Sequence, residues 1–132
     1  MVVAEMKKQR QCKDCPSGSK RKANHPGPRC ATHYRAISKL RKAHAHERHV
    51  QNTYGLKSGE YTNLYQKQGC CCAICRRATG KSKRLAVDHN HKTGLVRGLL
   101  CGPCNKMLAL ARSNPAFFTR AARYLKHPPA QL

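Results

Sequence analysis

The sequence predicts a small α+β protein whose strand–turn–strand–helix core is stapled by metal instead of a large apolar interior. Three observations carry this. Between residues 85 and 111 the apolar residues fall first in two short strand-like runs and then at helical spacing. One CxxC pair precedes that stretch (Cys72/Cys75) and a second lies inside it (Cys101/Cys104). Hydrophobic residues make up only 39% of 132 and Trp is absent, a supply too thin for a core without staples.

Composition divides the chain into three. Residues 1–33 are rich in Lys, Pro and Gly and read as an N-terminal zinc-binding module or basic arm. Residues 34–54 contain no Pro or Gly and read as one basic helix linker. Residues 55–132 hold the remaining cysteines and nearly all the regular apolar patterning, and form the third domain. Within it, Ser58 is a candidate cap for a short helix, with Glu60 at its positive end and Tyr61, Leu64 and Tyr65 on one face. Gly69 is the expected stop. Leu85–His89 reads as a strand, Asn90 to Gly94 as a polar turn, and Leu95–Leu100 as the returning strand. Pro103 suits the first turn of a helix through Leu108 to about Ala111. A last helix is expected from the cap Asn114 and Pro115, stopping before Pro128 and Pro129.

Residues 1–8 contain no apolar h-region, so no signal peptide is expected and the compartment is read as intracellular and reducing. Nine cysteines there point to metal, not disulfides. Cys72, Cys75, Cys101 and Cys104 supply four thiolates for a tetrahedral structural zinc, and a closed set leaves no coordination position for chemistry. Cys12, Cys15, Cys30 and His33 supply a second complete tetrahedron. The loop between its halves carries Lys20, Arg21, Lys22 and Arg29, which folding would present to phosphate. Cys70 and Cys71 are left without an assigned role.

The charge balance narrows the partner. Against 27 Lys plus Arg stand 5 Asp plus Glu, a net +22, and a compact state carrying that self-repulsion is relieved by a polyanion. DNA is the natural one. No apolar run approaches the ~18 residues of a membrane span, and the basic helix lacks an apolar face for lying on a bilayer. Arg35, Lys39, Arg41 and Lys42, with Arg48, are spread around that helix and suit a DNA backbone. His44, His46 and His49 have nothing nearby to complete a metal site. Arg97, in the second strand, is a candidate contact to the scissile or a flanking phosphate. No base-reading signature is present, so weak sequence preference and strong salt dependence are expected.

Asp88 is the only carboxylate side chain from residue 61 to the C-terminus. A lone acid among cations is either an ion-pair partner or a ligand for a hard cation. His89 follows it, His91 lies two further on, and Asn105 sits just after the last thiolate. Phosphodiester hydrolysis needs an activated water and a neutralised phosphate. An imidazole can take the proton near neutral pH, and Asp88 with the Asn105 amide oxygen can hold Mg²⁺ or Mn²⁺. Adjacent strand residues face opposite ways, so Asp88 and His89 converge only if the strand breaks, which is expected at Asn90.

The run Asp88-His89-Asn90-His91, the segment Thr93-Gly94-Leu95-Val96-Arg97-Gly98-Leu99-Leu100-Cys101, and Cys104-Asn105 closely resemble the phage recombination endonuclease VII family of HNH, or ββα-metal, nucleases. With Cys72-Ala73-Ile74-Cys75 and Tyr54-Gly55-Leu56 upstream, the resemblance covers about residues 54–112. It implies a ββα-metal (HNH) core within 55–132. It further implies His89 as general base, Asp88 and Asn105 as ligands of a catalytic Mg²⁺ or Mn²⁺, and His91 as an auxiliary contact to metal or phosphate. Cys72, Cys75, Cys101 and Cys104 take the structural zinc. The activity so implied is DNA cleavage leaving a 5′-phosphate, in a bacterial or phage-infected cell, on duplex or branched DNA and with no small-molecule substrate. Two alternatives stand beside it: a non-catalytic double-zinc nucleic-acid-binding protein, and a structure-specific junction resolvase working as a homodimer.

Overall fold

The computed structural model describes residues 10–25 and 27–131; residues 1–8, read above for a leader, lie outside them. The chain forms two compact units, Met1–His49 and Val50–Leu132, in a small mixed α+β protein.

The first unit is organised around its cysteines. A bridge between Gln11 and Lys22 is flanked by hydrogen bonds from Cys12 N–H to the Arg21 carbonyl (3.2 Å) and from Ala23 N–H to the Arg10 carbonyl (2.9 Å). Lys13 N–H donates to the Pro28 carbonyl (2.9 Å), and Asp14 pairs with Arg29. These ties bring Cys12 and Cys15 to Cys30. Helix α1 (Ala31–Tyr54) starts three residues before the composition break at 34, because its first turn is built on a candidate ligand: Tyr34 N–H donates to the Cys30 carbonyl (2.9 Å).

In the second unit helix α2 (Glu60–Lys67) is followed by strand β1 (Ala86–His89) and strand β2 (Val96–Leu100). Helices α3 (Gly102–Leu110) and α4 (Pro115–Lys126) come next, and a 3₁₀ turn (Pro129–Gln131) closes the order. The cap of α2 departs from expectation. Gly59, in a left-handed conformation (φ 79°), holds the cap position in place of Ser58 and makes no side-chain cap, while the Glu60 carboxylate accepts from Lys57 N–H (2.7 Å). The left-handed entry suits glycine, which has no Cβ to clash. Gly69 (φ 73°) ends α2 as expected, and Asn114 caps α4 by accepting from Ala116 N–H (3.0 Å).

The core of this unit is small: Val50, Leu85, Val87, Leu99 and Leu100, closed by Cys72 and Cys104. Tyr61, Leu64 and Tyr65 of α2 pack against it, and the Tyr61 hydroxyl donates to the Leu85 carbonyl (2.8 Å). Gln68 laces the sheet edge. Its amide nitrogen donates to the carbonyls of Leu99 (2.9 Å) and Cys71 (3.0 Å), and its oxygen accepts from Leu99 N–H (2.6 Å). Gly98 leaves the room: a Cβ there would stand 3.1 Å from that oxygen. Gln68→Ala removes the side-chain acceptor of the Leu99 N–H and leaves the Leu99 carbonyl with the longer bond from Ala73 N–H (3.2 Å) in a fully buried residue, so a loss of about 1–3 kcal/mol is expected in denaturant unfolding.

Strands β1 and β2 pair antiparallel as Ala86↔Leu100, Val87↔Leu99 and Asp88↔Gly98, and then His89↔Val96. Strand β1 ends at His89, so it breaks at Asn90 as expected. One residue earlier the ladder also skips Arg97, an extra residue in β2 that makes a bulge between Asp88 and His89. A bulge of this kind re-aims the unpaired side chain. Beyond it the turn is closed by Asn90 N–H to the Leu95 carbonyl (2.8 Å) and Gly94 N–H to the Asn90 carbonyl (2.7 Å).

Candidate active site and metal centres

Two groups of side chains converge as metal ligands would. Cys12, Cys15, Cys30 and His33 form one, Cys72, Cys75, Cys101 and Cys104 the other, and within each the ligand atoms lie no more than 4.8 Å apart. Zinc at about 2.3 Å from sulfur and 2.0–2.1 Å from nitrogen spans tetrahedral edges of roughly 3.5–3.8 Å. In the first cluster Nδ1 of His33 is 3.3, 3.4 and 3.5 Å from the sulfurs of Cys12, Cys15 and Cys30, and Cys15 and Cys30 are 4.0 Å apart. In the second, Cys75 and Cys101 are 3.8 Å apart. Both donor sets fit zinc.

The electrostatics of the second cluster suit a cation. Backbone N–H groups of Ala78 and Arg77 bring the Cys75 thiol down to about 6. Burial, then the neighbouring thiols of Cys101, Cys72 and Cys75, push Cys104 up to about 12. Four sulfurs this close do not ionise together unless a positive ion shares their charge. Cys72 is fully buried and Cys104 nearly so, which makes the cluster part of the core. Of the other two cysteines, Cys71 donates weakly to the Gln68 carbonyl (3.4 Å) and Cys70 is exposed.

The Cys101–Cys104 knuckle joins the end of β2 to the first turn of α3, and α3 packs on β1. Asn105, half-buried, therefore rides on the helix that rests against the strand of Asp88 and His89. Asp88 is buried, and the Arg97 guanidinium grips both its oxygens: Nε donates to Oδ2 (2.7 Å) and Nη2 to Oδ1 (3.0 Å). Nη2 also donates to the Ser113 hydroxyl (3.2 Å). The carboxylate in turn holds the Arg97 guanidinium above its usual range. His89 is half-buried, its ring 4.6 Å from that of exposed His91 and 5.3 Å from that of Tyr54. The sequence offers Tyr54 only as the end of the basic helix and part of a flanking segment; an aromatic at a helix end carries no signal for a ring contact made 35 positions later.

Arg35, Lys39, Arg41 and Lys42 are all exposed on α1. Arg97 instead faces Asp88 across the bulge. Among the described residues no helix is long and apolar enough to cross a membrane.

Thiolate-rich metal clusters on so cationic an α+β frame, with Asp88 and His89 at the end of the hairpin, define a metal-binding protein that acts on nucleic acid. The chain matches the recombination endonuclease VII family over residues 47–127 and belongs to it, which makes it a nuclease with DNA as its substrate class. It is 50% identical over 127 residues to the Gene 59 protein of Mycobacterium phage L5, covering 93% of this chain and 77% of that protein. Its identity to the Gene 59 protein of Mycobacterium phage D29 is 49%, with the same coverage. No solved structure matches this chain.

Proposed function

We propose that the chain is a zinc-stapled HNH (ββα-metal) DNA endonuclease that cleaves phosphodiester bonds with weak sequence preference and leaves 5′-phosphate ends. The observation that carries this reading is the end of the hairpin. Strand β1 finishes on buried Asp88 and half-buried His89, and α3, which follows β2 through the Cys101–Cys104 knuckle, packs on that strand. A hairpin and helix clamped by four ligands hold groups in place with little core.

His89 acts as general base, taking a proton from the attacking water; the rings of His91 and Tyr54 fix its orientation. Asp88 and the Asn105 amide oxygen are hard donors that suit Mg²⁺ or Mn²⁺, which when bound polarises the phosphate and steadies the leaving oxygen. His91 assists at the metal or the phosphate. Arg97 must share or release Asp88 for that ligand set to form, and a DNA phosphate is the anion that draws it away. Residues 1–33 and the basic helix 34–54, with Arg35, Lys39, Arg41 and Lys42, hold the DNA backbone, and residues 55–132 are the nuclease domain. A junction-resolving homodimer has one observation in its favour: α4 leaves Phe117, Tyr124 and Leu125 47, 60 and 76% exposed.

The test is incubation of supercoiled plasmid with Mg²⁺, with Mn²⁺ and without added divalent metal. Nicks formed only with metal, and sealed by DNA ligase, are expected. Salt-sensitive DNA binding with no cleavage under any metal would favour the non-catalytic double-zinc reading.

A further inference from the structure

Between the β1–β2 turn and the link from α3 to α4 lies a pocket of about 450 Å³, bordered by Asn90, His91, Lys92, Arg97, Arg112 and Ser113. We propose that this pocket is a second phosphate subsite. It seats a DNA backbone phosphate next to the one cleaved, with Arg112 and Lys92 as its cations and the Ser113 hydroxyl as a donor. The inference rests on the nuclease reading for which phosphate is the neighbour, but not for the binding itself.

Three observations converge. The first is charge: Lys92, Arg97 and Arg112 line the pocket together and no carboxylate does. Its volume lies in the range of ligand-sized clefts, roughly 300–1,000 Å³, which accommodates a phosphate with its sugar.

The second is the backbone. Helix α3 ends in a Schellman motif: Ser113 N–H donates to the Leu108 carbonyl (2.8 Å) and Arg112 N–H to the Ala109 carbonyl (2.9 Å). The residue just past the cap in this motif is left-handed and is usually glycine. Here it is Arg112 (φ 50°), and Ser113 after it is left-handed too (φ 50°). Two consecutive side-chain-bearing residues therefore accept a conformation that disfavours them. Both side chains line the pocket.

The third is connection to the chemistry. Arg97 Nη2 bonds Asp88 and the Ser113 hydroxyl at once, so one guanidinium borders both the pocket and the proposed metal ligand. A phosphate in the pocket would compete for Arg97 and free Asp88.

The experiment measures binding of a short fluorescein-labelled DNA duplex by anisotropy, over a series of NaCl concentrations and without added divalent metal. It uses the whole 132-residue chain as wild type, Arg112→Gly, Lys92→Ala and, as a cation outside the pocket, Lys126→Ala. The subsite predicts that Arg112→Gly and Lys92→Ala each flatten the slope of log K against log salt by about 0.9, one phosphate contact. A roughly tenfold loss of affinity at low salt is expected with it. Lys126→Ala should leave both unchanged. Glycine suits the left-handed position, so Arg112→Gly should melt no lower than wild type, which separates lost contact from lost fold. An unchanged slope in Arg112→Gly and Lys92→Ala, or an equal loss in Lys126→Ala, overturns the subsite. Neither result touches the nuclease reading, which fails separately if wild type nicks no plasmid under any metal.

Discussion

Replacing Cys104 by Ala is expected to unfold the Val50–Leu132 unit. Its sulfur is nearly buried beside Cys72 in a core with five buried aliphatic members among the described residues, so the metal cluster stands where a larger protein would place apolar side chains. Structural zinc binding is worth about 10–16 kcal/mol in small zinc domains. That matches or exceeds the ~5–15 kcal/mol by which whole domains are stable. Wild type should carry two zinc ions per chain by elemental analysis, and Cys104→Ala one, with loss of the cooperative thermal transition of this unit. Cys70→Ala, exposed and outside both clusters, should keep two zinc ions and the wild-type melting curve. A folded Cys104→Ala unit that still binds two zinc ions would contradict the assignment of the cluster.

Asp88→Asn should lower the cleavage rate by about 10²–10⁴-fold while DNA binding is retained. The amide keeps the size of the carboxylate but not the charge that attracts a divalent cation. In a stretch where Asp88 is the only acid from residue 61 onward, no neighbour can replace it. Weakened Mn²⁺ binding, read by electron paramagnetic resonance, should accompany the loss of rate. The ion pair with Arg97 gives a second reading to separate. If Asp88 only anchors Arg97, Asp88→Asn would alter the melting temperature and leave the Mn²⁺ signal as in wild type.

The metal clusters were legible because ligand chemistry is written in spacing: two CxxC pairs, and a CxxC followed by Cys30 and His33, leave few other uses for their sulfurs. The hairpin and α3 were legible too, from apolar runs interrupted at Asn90–Gly94 and from Pro103. Other features depend on register and rotamer, and there the sequence was silent. Gln68, just past the last residue of α2, carries no signal in the sequence, yet its amide replaces a strand beside Leu99 because Gly98 leaves space for it. The grip of Arg97 on Asp88 follows from one unpaired residue in β2, and periodicity does not reveal a bulge. Helix α3 ends at its cap Ala111 as expected, but the left-handed Arg112 and Ser113 beyond it had no glycine to announce them.

His89 is proposed above as the base in metal-dependent DNA cleavage. The direct measurement is plasmid nicking by wild type and His89→Ala side by side, with Mg²⁺, with Mn²⁺ and without added divalent metal, at protein concentrations where both bind the plasmid. Nicking by wild type is expected only when metal is added, with a rate about 10²–10⁴-fold lower for His89→Ala at equal binding. Equal nicking by the two proteins, or none by wild type with either metal, would contradict it.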